Sequence, residues 1–177
     1  MKNEFCAKMI LQWFESEQSI RKALSNDKLT GSRRQGVIQL CAETDRDNAR
    51  MLKSMIFHHG WPTISLVGEE AAYAACMIIR HADHDVTFQE RCLCRMIEQP
   101  ESEVPEVEIA FLFDRICVNR KQPQFFGTQF MENNFGAYGP RPIYLFEQID
   151  ERRAQIGLEP LEEYRQHLIK KYSIASP

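Results

Sequence analysis

Apolar residues recur at helical spacing along most of the chain, and this periodicity predicts a mainly α protein. The first predicted helix covers residues 3–25, and its apolar face consists of Phe5, Met9, Trp13, Ile20 and Leu24. The second covers residues 33–59, and its apolar stripe consists of Ile38, Cys41, Leu52, Met55 and Ile56. This helix should end at Gly60-Trp61-Pro62, because glycine can adopt the left-handed cap conformation and proline cannot continue a helix.

The stretch from Gly68 to Gln89 begins as a helix of small residues and turns polar at His81. Two geometries fit this stretch. In the first, the helix continues and His81 shares a face with Asp85, since side chains four residues apart lie one above the other. In the second, Asp83 caps a new helix over residues 86–97, and His81 and Asp85 lie on either side of the joint.

The rest of the chain shows three kinds of pattern. Residues 107–118 are apolar nearly all round, which favours a buried helix, although their β-branched and aromatic content also fits a strand. Residues 122–146 are rich in aromatics, glycine and proline and have little helical period, which predicts a hairpin or an ordered loop. Two short helices should follow, over residues 150–158 and 160–171.

These patterns together predict the fold. We expect a mainly α, single-domain helical bundle over residues 1–177, with six or seven helices. A small β-hairpin or irregular loop is expected near residues 122–146.

Composition and charge exclude several functional classes. Hydrophobic residues make up 44% of the chain and charged residues 27%, which is typical of a globular protein. The formal net charge is −3 and the basic residues form no stripe, so we expect no nucleic-acid partner. No apolar run approaches the ~20 residues that span a bilayer, so we expect no membrane association. The first residues, MKNEFCAKMILQWFE, do not form the apolar core of a signal peptide.

Cysteine usage bears on the cellular compartment. The six cysteines are Cys6, Cys41, Cys76, Cys92, Cys94 and Cys117. They show no CxxC pair and no zinc-like spacing, and most lie within apolar helical patterns, where a free thiol behaves as a small hydrophobe. This favours a reducing, cytoplasmic location.

Ionisable and amide side chains interrupt the apolar faces of the predicted helices. Glu17 lies on the apolar line of the first helix, where it either pairs with Arg21 at a hydrated edge or points into the bundle. Asp45 and Asn48 stand where the second stripe should continue, so they either line a hydrated pocket or mark a point where the helix surfaces. Asp114 lies within an apolar run and, if buried, must be paired, ligated or protonated.

The chain resembles a family of bacterial proteins of unknown function in a series of sequence blocks. The blocks are Glu17-Gln18-x-x-Arg21, Asp45-x-x-Asn48, Gly60-Trp61-Pro62, His81-Ala82-Asp83-x-Asp85-x-x-Phe88-Gln89, Asp114-Arg115, Gln124-x-x-Gly127-Thr128-Gln129 and Arg152-Arg153-x-x-x-Gly157-Leu158. Arg80 stands where the family usually has glutamine, and Arg120-Lys121-Gln122 stands where the family usually has a glycine shortly before Gln124. The resemblance implies no activity, but its blocks coincide with the polar interruptions.

If the predicted helices pack with their apolar faces inward, these polar groups surround one interior cavity, capped by the Gln124–Gln129 loop. We expect the catalytic groups to be His81, Asp85, Asp114 and Arg115. We expect the substrate-binding groups to be Glu17, Arg21, Asp45, Asn48, Gln89, Gln124, Thr128 and Gln129.

Two catalytic chemistries fit this set of residues. A divalent metal such as Zn, Mn, Fe or Mg could be bound by His81, Asp85 and Asp114, joined by Asp45 or Glu17. Alternatively, His81 acts as a metal-free general acid or base, oriented by Asp85 or Asp83, while Arg115 holds an anionic group.

A non-catalytic role also fits. The same polar residues could form a structural network, with the aromatic loop from Phe125 to Tyr144 as a protein-binding surface, as in an immunity or adaptor protein. Our leading hypothesis is a small cytoplasmic enzyme of hydrolase or lyase type that acts on a polar small molecule, with or without a divalent metal. The expected partner is a small-molecule substrate, or another protein in the non-catalytic alternative.

Overall fold

The structure is a computed structural model of the chain, and it describes residues 2–24, 29–132 and 138–172. Two stretches each form a compact unit, Met1–Val104 and Pro105–Pro177. The mainly α fold is confirmed. Within the described residues there are eight α-helices and one pair of short strands. None of the helices in these ranges has the length and apolar character that crossing a membrane requires.

The first unit holds five helices. They are α1 (Glu4–Leu24), α2 (Gly31–His59), α3 (Ile64–Val67), α4 (Glu69–Arg80) and α5 (Val86–Ile97). The single turn α3 lies in the connector after Pro62, and it brings the number of described helices above the predicted six or seven. Gly60 ends α2 with a φ of 79°, as the Gly-Trp-Pro block predicted, and Trp61 is buried.

The core of this unit forms where α1, α2 and α4 pack against one another. Helix α4 contributes small buried residues, Ala71, Ala74 and Ala75, which let its neighbours approach closely. Ile10 of α1 and Leu52 of α2 are fully buried in this core. The burial of such side chains is the main stabilising term of a domain of this size.

Two predicted apolar faces are partly wrong. On α1 the buried line passes through Cys6, Ile10 and Glu17, whereas Phe5 is 70% exposed, so the predicted face is shifted by about one residue. On α2, Ile38 is 49% exposed and Cys41 is the first buried residue. The buried part of α2 thus begins at Cys41, close to Asp45 and Asn48, through which the helix contacts α1.

The joint between α4 and α5 decides between the two predicted geometries. Helix α4 ends at Arg80, so a continuous helix carrying both His81 and Asp85 on one face is wrong. The N-cap of α5 is Asp85 rather than Asp83, because its Oδ1 accepts a hydrogen bond of 2.9 Å from the backbone N–H of Phe88.

The second unit begins with α6 (Glu106–Asn119), so the apolar run is a helix and not a strand. Strands β1 (Phe130–Glu132) and β2 (Tyr138–Pro140) pair antiparallel within the predicted segment. The residues that join the two strands, 133–137, lie outside the described residues. A 3₁₀ turn, α7 (Ile149–Gln155) and α8 (Leu161–Tyr172) complete the unit.

Among the glycines of the second unit that the structure describes, Gly127 is packed most tightly. Its φ is +66°, and a Cβ built on it would lie 2.8 Å from Leu161 Cδ1 and 3.2 Å from Ile143 Cδ1. A side chain at this position therefore meets both backbone strain and a clash with the core.

We expect Gly127→Ala to lower the free energy of unfolding by about 2–3 kcal/mol, because it adds a strained φ and overpacks the core. Gly139→Ala is the matched control, since a Cβ at that glycine would have no neighbour within 4 Å. Urea denaturation of both variants checks the difference. Equal stability of the two variants would contradict the packing described at Gly127.

Candidate functional site

A cluster of five polar side chains lies in the first unit and joins α1, α2 and the end of α4. Its members are Glu17, Arg21, Asp45, Asn48 and His81, and we call it the Glu17 cluster. Four of these residues were predicted to bind substrate and His81 was predicted to be catalytic. The structure brings all five together.

Glu17 is the centre of this cluster and is only 1% exposed. Its Oε1 accepts a hydrogen bond of 2.9 Å from Arg21 Nε and lies in direct hydrogen-bond contact with His81 Nδ1. Asn48 Nδ2 lies 3.5 Å from the other carboxylate oxygen and donates to the backbone carbonyl of Trp13. Glu17 therefore points into the bundle, which was one of its two predicted positions. The pairing with Arg21, which was predicted for a hydrated edge, occurs at this buried position.

Arg21 links the two acidic residues of the cluster. While its Nε binds Glu17, its Nη2 donates to both carboxylate oxygens of Asp45, at 2.8 and 2.9 Å. Asp45 and Arg21 are half-buried, which explains how an acid can replace an apolar residue on the stripe of α2.

The electrostatic balance keeps Glu17 ionised. Burial alone would raise the pKa of Glu17, but the hydrogen bonds and charges of His81 and Arg21 outweigh it, so this pKa is lowered. For Asp45 burial is the larger effect, and its pKa is raised despite the charge of Arg21. The pKa of Arg21 is raised, because its bonds to the two carboxylates outweigh its burial.

His81 lies between this buried charge and solvent, with 20% of its side chain exposed. An ionised carboxylate only accepts hydrogen bonds, so its contact with Nδ1 places the proton of the neutral imidazole on that nitrogen. The lone pair of Nε2 is then left outside this contact, and Nε2 forms no hydrogen bond with the residues that the structure describes. The arrangement can therefore accept or donate a proton through Nε2.

The backbone of His81 is fixed by the end of α4. Its N–H donates to the carbonyls of Met77 and Ile78, and His81 is the C-cap residue of the helix. Gln89 is fully buried and its Nε2 donates to the carbonyls of Ile79 and Arg80, 3.1 and 3.4 Å away. Gln89, which was expected to bind substrate, therefore holds the last carbonyls of α4.

Asp85 is separate from the imidazole that it was expected to orient. One of its oxygens caps α5 and the other accepts a hydrogen bond from Lys53 Nζ, 3.3 Å away. The pKa of Asp85 is lowered: burial alone would raise it, but the bonds to Phe88 N–H and Lys53 outweigh burial. The carboxylate that contacts His81 Nδ1 is that of Glu17.

The described residues contain one group with the spacing of metal ligands. One ligand atom from each of Glu17, Asp45 and His81 lies within 4.8 Å of the other two. This group contains His81 together with Asp45 and Glu17, the two carboxylates that the sequence offered as the further ligand, and it lacks the expected Asp85 and Asp114. A divalent cation here would compete with the Arg21 guanidinium for both carboxylates.

The remaining predicted site residues form a second cluster, in the second unit. Asp114 is fully buried, and its carboxylate accepts hydrogen bonds from three backbone N–H groups of the loop and from Thr128 Oγ1. The loop donors are Phe125, Phe126 and Thr128, at 2.7 to 3.0 Å. The carboxylate oxygens of Asp114 are thus used to fold the Gln124–Gln129 loop.

The amide groups of that loop are also used internally. Gln124 is fully buried, donates to the carbonyls of Gln129 and Arg141, and accepts from the N–H of Gln129. Gln129 accepts a bond of 3.1 Å from Arg115 Nη1 and donates to Thr128 Oγ1. That this cluster and the Glu17 cluster share one pocket stays a prediction.

Two buried arginines complete this loop, and the sequence analysis gave them no role. Arg152 donates to the carbonyls of Phe125, Tyr144 and Leu145, and Arg153 donates to those of Phe126 and Glu159. Adjacent arginines on a short charged helix look like solvent-exposed residues. Two features of the sequence could have identified them. Both arginines belong to one of the family blocks, and the irregular loop has backbone carbonyls that no strand pairing satisfies, so these carbonyls need side-chain donors.

We expect Asp114→Asn to lower the free energy of unfolding by about 2–4 kcal/mol, because the amide nitrogen would face donors that need an acceptor. Asp47→Asn is the matched control, since Asp47 is exposed and forms only an exposed pair with Arg50. Chemical denaturation of both variants measures the effect. A loss below about 0.5 kcal/mol for Asp114→Asn would contradict the role of this carboxylate in folding the loop.

The lowered pKa of Glu17 predicts an acid-sensitive contribution to stability. This contribution is fully present above about pH 4.3, the ordinary pKa of glutamate, and is lost as the pH falls through the lowered value. The stability difference between the wild type and Glu17→Gln should therefore shrink as the pH falls below that range. Urea denaturation over a pH series measures it, with the exposed Glu15→Gln as control, and a difference that does not change with pH would contradict the assignment.

Comparison with known proteins gives a family and no activity. Residues 6–176 match the family model of DUF6624, a family of unknown function. Neither the curated proteins nor the solved structures include a significant match. The bacterial origin of the family and its sequence blocks stay predictions. Since the match covers nearly the whole chain, the protein belongs to the DUF6624 family, whose function is unknown.

Proposed function

We propose that the protein is a small acid–base enzyme of hydrolase or lyase type, in which His81 exchanges a proton with a polar small-molecule substrate through Nε2. The observation that carries this proposal is the contact of His81 Nδ1 with the buried, ionised Glu17. A carboxylate placed in this way selects the tautomer of a histidine, orients its ring and stabilises the imidazolium that forms when Nε2 takes a proton.

The graded burial of the cluster supports this role. Glu17 is inaccessible, whereas the side chains of His81 and Arg21 are 20% and 31% exposed. A substrate can therefore reach the imidazole but not the carboxylate behind it. Acid–base catalysis by a positioned histidine is typically worth about 10²–10⁴-fold in rate.

Arg21 supplies the second part of the proposed site. Its Nε and Nη2 are bound to Glu17 and Asp45, which fixes the plane of the guanidinium close to the imidazole. The exposed edge of this fixed cation is suited to hold an anionic or carbonyl oxygen of the substrate while His81 moves a proton. Asp45 positions Arg21 and does not itself need to touch the substrate.

A metal-free site agrees best with these contacts. Arg21 already donates to both carboxylates of the group that could bind a metal, and Asn48 lies beside the remaining oxygen of Glu17. A metal cation bound there would have to break the charge-assisted hydrogen bonds from Arg21 to Glu17 and Asp45. A cytoplasmic location belongs to the same proposal, since the six cysteines are free thiols.

A non-catalytic binding or immunity protein is the second candidate, and one observation favours it. Three consecutive large apolar residues of the second unit, Tyr144, Leu145 and Phe146, are exposed. Their segment is fixed by the bonds from Arg152 to two of its carbonyls. Rigid, exposed apolar side chains are typical of a protein-binding surface.

The tautomer of His81 tests the catalytic proposal without knowledge of the substrate. Long-range ¹H–¹⁵N NMR correlations should show that the neutral ring carries its proton on Nδ1, and Glu17→Gln should weaken this preference. In a screen of chromogenic esters, amides and phosphate esters, any turnover should fall by about 10²-fold or more in His81→Gln. The exposed His84→Gln is the matched control and should keep wild-type turnover.

Two results would refute the catalytic proposal. The first is a neutral His81 that carries its proton on Nε2. The second is turnover that His81→Gln leaves unchanged. If His81→Gln instead unfolds the protein while the wild type shows no turnover, the network is structural and the binding protein becomes the better candidate.

A further inference from the structure

The joint between α4 and α5 carries His81, the residue on which the proposed acid–base site depends. Helix α4 ends at Arg80 and α5 begins at Val86, so His81 lies between the two helices, as the C-cap residue of the first. The last four carbonyl groups of a helix have no partner within it, so they need donors from elsewhere. How the end of α4 is held therefore sets the position of the imidazole relative to Glu17, which comes from α1.

Gln89 of α5 supplies a donor to these carbonyls. Its side chain is fully buried, and its Nε2 donates to the carbonyl oxygens of Ile79 and Arg80, at 3.1 and 3.4 Å. A peptide group joins the carbonyl of one residue to the nitrogen of the next, so the carbonyl of Arg80 and the N–H of His81 belong to the same rigid plane. Gln89 thus binds the peptide group that leads directly into His81.

This peptide group is held from both sides. Its N–H donates to the carbonyls of Met77 and Ile78, each 3.2 Å away, and its carbonyl accepts from Gln89. A planar peptide group that is bound at both ends cannot rotate without breaking one of these bonds. The direction in which the Cα–Cβ bond of His81 leaves the backbone is fixed as a result, and with it the positions that the imidazole can reach.

Gln89 is itself fixed by the start of α5. Its N–H donates to the carbonyl of Asp85, the N-cap residue of this helix, at 3.1 Å. The N–H of Asp85 in turn donates to the carbonyl of Ala82, which is fully buried. The joint is thus a continuous set of hydrogen bonds from one helix to the next, and the side chain of Gln89 connects it back to the end of α4.

We infer that Gln89 is a positioning residue for His81: by holding the peptide group before His81, it keeps Nδ1 of the imidazole on the carboxylate of Glu17. This role rests on the proposed function. A hydrogen bond weakens steeply when its angle departs from the ideal. A displacement of about 1 Å far from the chemistry can cost an enzyme about 10²-fold in rate. Gln89 acts through the backbone and does not touch the substrate.

The tautomer of His81 reports this role without a known substrate. In the wild type, long-range ¹H–¹⁵N correlations should show the neutral ring with its proton on Nδ1. Gln89→Met keeps the length of the side chain and removes the donor. It should lower the ratio of the Nδ1–H to the Nε2–H form by about fivefold or more, because the charge-assisted bond to Glu17 loses its geometry.

A second buried glutamine provides the matched control. Gln124 is also fully buried, and its Nε2 also donates to two backbone carbonyls, those of Gln129 and Arg141 in the second unit. Gln124→Met should therefore lower the stability at least as much as Gln89→Met and leave the tautomer ratio of His81 unchanged. A purely structural role of Gln89 would lower the stability of both variants and change the tautomer ratio in neither.

A shorter side chain keeps the test open if Gln89→Met does not fold. Gln89→Asn retains the amide group but withdraws it from the two carbonyls by the length of one carbon–carbon bond. The same fall in the tautomer ratio of His81 is expected. Gln124→Asn is then the control.

The possible results separate the positioning role from the proposed function. A wild-type ring with its proton on Nε2 refutes the proposed function, and the positioning role with it. A wild-type ring with its proton on Nδ1, together with an unchanged ratio in a folded Gln89 variant, overturns the positioning role alone. The positioning role is also rejected if the Gln124 variant changes the ratio as much, or if neither Gln89 variant folds, because Gln89 then acts only on the fold.

Discussion

The first unit depends on burying one carboxylate, that of Glu17, without leaving it unpaired. Removing a charge from water is expensive, and the cost is recovered only if hydrogen bonds and opposite charges surround it. Here an imidazole from the end of α4 and a guanidinium from α1 itself meet a single carboxylate oxygen, and Asn48 of α2 approaches the other. The three helices that form the core are thus also joined through one polar group.

The second unit buries an acid in a different way, and the contrast bears on function. Asp114 is surrounded by backbone N–H groups and one hydroxyl of a single loop, which shape that loop and leave the carboxylate little capacity for anything else. Glu17 is surrounded by side chains that themselves extend toward solvent. The first arrangement defines a loop conformation, and the second transmits the influence of a buried charge to an accessible imidazole.

Periodicity predicted most of the helices, because long amphipathic segments have a clear signal. It also showed that Glu17, Asp45 and Asn48 interrupt core positions. It did not identify the partner of His81, since Glu17 lies on another helix and only the packing of α1 against α4 brings them together. Asp83 and Asp85 were the expected partners because they are close to His81 in sequence, but a local hydrogen bond from Phe88 N–H makes Asp85 a helix cap. Arg152 and Arg153 were missed because their carbonyl partners belong to an irregular loop.

The contact between Glu17 and His81 joins residues 64 positions apart in the chain. Contacts of such separation form late, because a long loop must close before they give any stabilisation. While the ribosome has released only α1 and α2, the carboxylate can meet Arg21 and Asn48 but not the imidazole. The N-terminal hairpin of helices therefore emerges during synthesis with its charge incompletely compensated, and α4 is the segment that completes it.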